Sequence, residues 1–278
     1  MKPTYPNLPQ SWGIFGIAIL ASICFSFVNF GLVDYLSKEV SMLIYYVLSM
    51  GSCLLFAHLL RKKENKTSEY RFSTPKLRST FLIVIMLLSL QIGITMPLSS
   101  LIPMPDMFKQ MFMELADLHG WAAFLTIAIA APILEEFIFR GIILDGLLKN
   151  YSAKKAIFWS SFLFALVHMN PWQFISAMDI GLFSAWVYYR TSNLLLCIII
   201  HFANNGIAFG VMEIWDSVDM IDINIIDFYG GPIAATLLIS SCLLISMVCF
   251  FILNRILPRT VKWQFNRHLN ESDREQIN

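Results

Sequence analysis

Apolar side chains recur along the chain in long runs broken by short polar stretches. The runs fall at 11–33, 41–60, 79–98, 121–148, 155–168, 172–190, 193–214 and 231–257. A helix needs about 20 residues to traverse about 30 Å of hydrocarbon. The pattern therefore predicts an all-α fold: a polytopic membrane protein of about eight transmembrane helices around a buried polar cavity. Run 121–148 exceeds the span length and is expected to tilt or protrude. Run 155–168 falls short of it, and only Met169, Asn170 and Pro171 separate it from the next run. The first run has no basic leader beyond Lys2 and is longer than the apolar core of a signal peptide, so it reads as a true span. Residues 1–278 form one transmembrane domain in this reading, with 260–278 as a polar cytoplasmic tail.

The polar loops set the orientation. The stretch 61–78 carries Arg61, Lys62, Lys63, Lys66, Arg71, Lys76 and Arg78, and the positive-inside rule places it in the cytoplasm. Eight spans then bring both termini to the same side. Of all Lys and Arg residues, only Lys38 and Lys109 fall outside, and Arg140 lies within the membrane. The outer loops collect acids instead: Glu213, Asp216, Asp219, Asp222 and Asp227, which lack the glycine and spacing of a calcium loop. Trp12, Trp121, Trp159, Trp172, Trp186, Trp215 and Trp263 sit near predicted helix ends, as interfacial rings do. In 105–118, Met107, Phe108, Met111, Phe112, Leu115 and Leu118 share one side at helical spacing, the mark of a helix lying in the outer interface.

Composition narrows the class. The hydrophobic set makes up 57% of the 278 residues and charged residues only 14%, against about 45–50% and about 25% in a soluble domain. Disorder, a coiled coil and a water-soluble globule are excluded. The near-neutral balance and the lack of a basic stripe exclude a nucleic-acid partner. Cys24, Cys53, Cys197, Cys242 and Cys249 all lie in apolar runs without paired spacing, so they read as small packing residues rather than as disulfides or metal ligands.

Against this background a few polar residues stand out, because an ionisable group near a helix centre costs about 2.5–3.5 kcal/mol even on the lenient insertion scale. The first set lies in APILEEFIFRG. Glu136 and Arg140 are four apart and can pair, whereas Glu135 points about 100° away and needs a partner or a task. The second is FALVH, with Phe164 and His168. The third is HFANN, with His201 and Asn205 on one face and Asn204 beside them. At about 1.5 Å of rise per residue, these residues reach comparable depths, so Glu135, His168, His201 and Asn205 are expected to meet in one hydrated pocket. Asp179, in the middle of the sixth run, is expected to pair with Arg140 or a histidine, or to line the water path.

Such a pocket suits amide hydrolysis. A carboxylate beside an imidazole can take a proton from water. A second imidazole and a carboxamide can offer N–H donors to the oxygen of an attacked carbonyl. There is no Gly-x-Ser-x-Gly elbow and no His-Glu-x-x-His signature. The expectation is a site without metal or other cofactor, with zinc held by His168, His201 and Glu135 as the less favoured alternative.

EEFIFR, FALVH and HFANN, in that order on separate spans, resemble the Glu-Glu-x-x-x-Arg, Phe-x-x-x-His and His-x-x-x-Asn motifs of the CPBP family. These are the intramembrane glutamic endopeptidases that include CAAX prenyl protease 2 and the bacteriocin-processing, or Abi, proteins. The resemblance covers about 121–210. It implies an eight-helix fold with the site in a membrane cavity. It implies Glu135 as the water-activating base assisted by His168, His201 and Asn205 as the oxyanion hole, and Glu136 and Arg140 as support, with Phe164 as a packing residue. The expected function is an intramembrane endopeptidase acting on a membrane-associated protein or peptide in the lipid bilayer, in a bacterial plasma membrane judging by the compact chain. The alternative is a non-proteolytic immunity or scaffold protein that binds a partner through the same cavity. A proton-coupled transporter is disfavoured, because no matched pair of Gly/Pro-broken helices is present.

Overall fold

A computed structural model describes residues 4–214 and 224–258. Among these residues the secondary structure is all helical. The helices are α1 (Leu8–Leu32), α2 (Lys38–Asn65), α3 (Leu77–Ser100), α4 (Asp106–Ala116), α5 (Gly120–Asn150), α6 (Ala153–Leu166), α7 (Pro171–Thr191), α8 (Leu194–Met212) and α9 (Pro232–Ile256). A one-turn helix, Ile225–Phe228, precedes α9. Trp215, Asp216, Asp219, Asp222, Trp263 and the tail 260–278 lie outside the described residues.

Each of the eight apolar runs contains a helix, but among the described residues six helices are long and apolar enough to cross a membrane: α1, α2, α3, α5, α8 and α9. The expected count of eight is not reached on that measure. The reason is physical for α6, whose 14 residues reach only about 21 Å at helical rise. It is compositional for α7, which is 21 residues long but carries Gln173, Asp179, Arg190 and several small or polar side chains. The chain is an integral membrane protein, with these six helices as candidate spans among the described residues.

Helix α5 is the centre of the molecule. Ile138, Phe139, Ile142, Ile143, Leu144 and Leu147 are fully buried in the largest apolar cluster, and α2, α6 and α8 pack around it. Outer helices show the opposite pattern. Phe27 and Phe30 of α1 and Leu237 and Phe251 of α9 are exposed, as expected of surfaces that meet acyl chains. A helix sheathed by others can carry polar groups that a lipid-facing one cannot, which accounts for Glu135, Glu136 and Arg140 residing on α5.

Local sequence sets the turns around the site. Asn170 caps α7, its side chain accepting from Trp172 N at 3.0 Å, and Pro171 occupies the first helical turn, where a missing N–H costs nothing. This ends α6 at Leu166 and leaves His168 in the turn, half-buried, rather than on the helix as expected. Helix α5 is not regular: Leu125–Ala130 and Phe137–Leu144 are wound as π-helix, a widening that often accompanies functional sites. The first of these stretches lies just before Pro132, and the second begins directly after Glu136.

The loop between α2 and α3 is ordered against the bundle. Leu194 N donates to Arg71 O at 2.9 Å, and Asn193 exchanges two hydrogen bonds with the Ser73 backbone. Tyr70 packs directly on Gly141, where a Cβ would come within 2.8 Å of the ring, so only glycine admits it. Arg61, expected in the solvated loop, is instead buried within α2. It pairs with Asp145 at 2.6 Å and donates to Gly141 O at 2.7 Å. Lys149 reaches the same Asp145 oxygen at 2.6 Å. On the opposite side, α4 leaves Met107 and Met111 exposed while Ala116 and Leu118 are buried, and Phe108 meets the Trp172 ring. This agrees with a helix lying along the bundle rather than through it. All five cysteines are free; four are buried, and Cys24 is exposed on α1.

Candidate active site

The polar interior draws on α2, α5, α7, α8 and the α6–α7 turn. On α5, Glu135 and Glu136 are adjacent and buried, and their side chains diverge. Glu136 and Arg140 form the expected pair, Nη1 to Oε1 at 2.9 Å, with both side chains fully buried. The contact is close but off the N–H axis, since Arg140 Nη1 makes no directional hydrogen bond. The guanidinium is steadied elsewhere: Nη2 donates to Gly181 O at 3.3 Å, and its carbon sits 4.2 Å above the Phe164 ring centre. Glu136 is also held by Ser184, whose hydroxyl donates to Oε2 at 3.2 Å, and by His201 Nδ1 at 3.1 Å from Oε1.

Glu136 thus orients the His201 ring. A ring that gives its Nδ1 proton to Glu136 turns Nε2 toward Glu135, and Nε2 lies 3.8 Å from Glu135 Oε2. That is too long for a direct hydrogen bond and short enough for a small group to touch both atoms. The other Glu135 oxygen, Oε1, accepts a hydrogen bond from the Tyr46 hydroxyl on α2. Oε2 is buried and has no hydrogen-bond partner among the described residues.

His168 enters through Phe164. Its Nδ1 lies 2.9 Å from Phe164 O, and its ring meets the Phe164 ring edge-on at 5.4 Å. The His201 ring meets the same phenyl group edge-on, also at 5.4 Å. Phe164 is therefore more than filler: it contacts both imidazoles and Arg140. No hydrogen bond joins His168 to Glu135 among the described residues, and the nearer imidazole to Glu135 is His201.

Asn205 is fixed from two sides. Its Nδ2 donates to Ile127 O at 2.9 Å, and its Oδ1 accepts from Asn204 Nδ2 at 3.1 Å. The Ile127 carbonyl is open for a local reason. Within the π-wound stretch each carbonyl pairs with the N–H five residues on, as Thr126 O does with Ala131 N. The corresponding partner of Ile127 is Pro132, which has no N–H. One N–H of the Asn205 amide fills that gap.

Asp179 does not pair with Arg140 or a histidine. Thr95 Oγ1 donates to its Oδ2 at 2.7 Å, so it ties α7 to the π-wound turn Gln91–Thr95 of α3. Among the described residues no group of three or more His, Cys, Asp or Glu side chains is arranged to hold a metal ion.

Residues 117–207 match the family model described as Rce1-like, the type II CAAX prenyl endopeptidase Rce1-like proteins. This segment is similar to the CAAX-protease family. Comparison with curated proteins and with solved structures finds no match to the chain. The Rce1-like segment contains all three motifs and runs from just before α5 into α8. The family is one of proteases that work in membranes, which fits the apolar spans around the polar interior. Tyr46 lies outside the segment. It was not singled out from the sequence, where it is one of two adjacent tyrosines in an apolar run; the pertinent signal is a phenol at the level of an intramembrane carboxylate.

Proposed function

We propose that the protein is an intramembrane endopeptidase that hydrolyses a peptide bond of a membrane-associated protein or peptide by attack of water, without a covalent enzyme intermediate. The observation that carries this reading is Glu135. It is a buried carboxylate in the Rce1-like segment, with one oxygen held by Tyr46 and the other turned toward an imidazole.

In this reading Glu135 Oε2 takes a proton from water as its oxygen bonds to the carbonyl carbon. The carbonyl π electrons move to oxygen, and the resulting oxyanion is received by His201 Nε2–H and the second N–H of Asn205. Collapse of the intermediate breaks the C–N bond, and the proton on Glu135 passes to the departing amine. Glu136 holds His201 at Nδ1 and so aims Nε2 at the reacting carbonyl. Arg140 balances Glu136. His168, with Nδ1 engaged by Phe164 O, offers Nε2 to the attacking water. The reading sets the protein in a bacterial plasma membrane with both termini cytoplasmic.

The test is peptidomics of membranes that carry equal amounts of wild type or Glu135→Gln. A peptide product present with wild type and absent with the variant supports hydrolysis and names the substrate. Identical peptidomes with an intact biological output would favour a protein that acts by binding a partner through the cavity.

A further inference from the structure

Glu135 has two oxygens in unlike settings, and the difference is made by a residue outside the Rce1-like segment. Oε1 receives the Tyr46 hydroxyl from α2, and Oε2 has no hydrogen-bond partner among the described residues and faces His201 Nε2. A carboxylate free to rotate about its last bond would present either oxygen. A phenol that donates to one of them fixes the plane of the group and decides which oxygen is the base.

We infer that Tyr46 is a positioning residue for Glu135: its hydroxyl holds Oε1 so that Oε2 alone points at the reacting water. This rests on Glu135 being the base. The contact also ties α2 to the family segment of α5, so the first half of the chain contributes to the site rather than merely enclosing it. Phenylalanine at this position keeps the ring and its packing and removes only the hydroxyl, which makes Tyr46→Phe the informative change.

Two measurements test it, one of which does not depend on activity. In purified protein, the infrared carboxyl bands of Glu135 are those that Glu135→Gln removes. They are expected to change position in Tyr46→Phe because the hydrogen bond to one oxygen is lost; unchanged bands overturn the proposal whether or not the protein is a protease. With the substrate found by peptidomics, Tyr46→Phe is expected to lower kcat by about ten- to a hundredfold with KM little changed. Shifted bands together with a wild-type kcat would also overturn the positioning role. If wild type yields no product sensitive to Glu135→Gln, the hydrolase reading fails and the infrared result alone decides whether the phenol sets the carboxylate.

Discussion

Asn205 Nδ2 donates to the carbonyl of Ile127 that Pro132 cannot serve. The proline and the asparagine are far apart in sequence, yet each explains the other: the missing N–H opens a carbonyl in the interior, and the amide on α8 closes it. Asn205→Ala is therefore expected to leave a buried carbonyl without a partner, at a cost of about 1–3 kcal/mol. Pro132→Ala restores an N–H in register, so Asn205→Ala should cost less in that background. Thermal unfolding of the four proteins of this cycle in detergent measures the coupling. Equal costs of Asn205→Ala in both backgrounds would separate the two residues.

Arg140 has no exposure to solvent, and Glu136 is its carboxylate partner. Removing one member of a buried pair strands the other charge, which costs about 3–5 kcal/mol, whereas replacing both by apolar groups is often tolerated. Glu136→Gln should thus lower the melting temperature strongly, and Glu136→Gln combined with Arg140→Met should recover part of the loss. The doubly changed protein should still lack activity, since His201 would have lost the carboxylate that orients Nδ1.

Much of this site was legible in the sequence because polar residues in apolar runs announce themselves. Glu135, Glu136, Arg140, His168, His201 and Asn205 were all visible that way, and four-residue spacing gave the Glu136–Arg140 pair. What spacing could not give was partners drawn from other helices. Tyr46 looks like any interfacial aromatic until α2 is set beside α5. Asp179 was expected near Arg140, but α7 faces α3 at that level and Thr95 takes it. The basic cluster that begins at Arg61 looks like loop in sequence, whereas α2 extends to Asn65 and buries the guanidinium against Asp145. Of the eight apolar runs, six carry helices long and apolar enough to cross a membrane by themselves among the described residues; α6 is short and α7 is interrupted by polar side chains.

The reading uses water activated by side chains alone. The Glu135-dependent product is therefore expected to form at an unchanged rate after treatment with phenanthroline or EDTA and dialysis. Loss of the product on chelation and its return with zinc would instead assign His168, His201 and Glu135 to a metal.

The most direct test is product formation in oxygen-18 water. Membranes with wild-type protein are expected to release a peptide whose new C-terminal carboxyl carries one oxygen-18 atom, and membranes with Glu135→Gln at the same level to release none. The same labelled peptide appearing in equal amount from the Glu135→Gln membranes would contradict Glu135 as the base that turns water into the nucleophile.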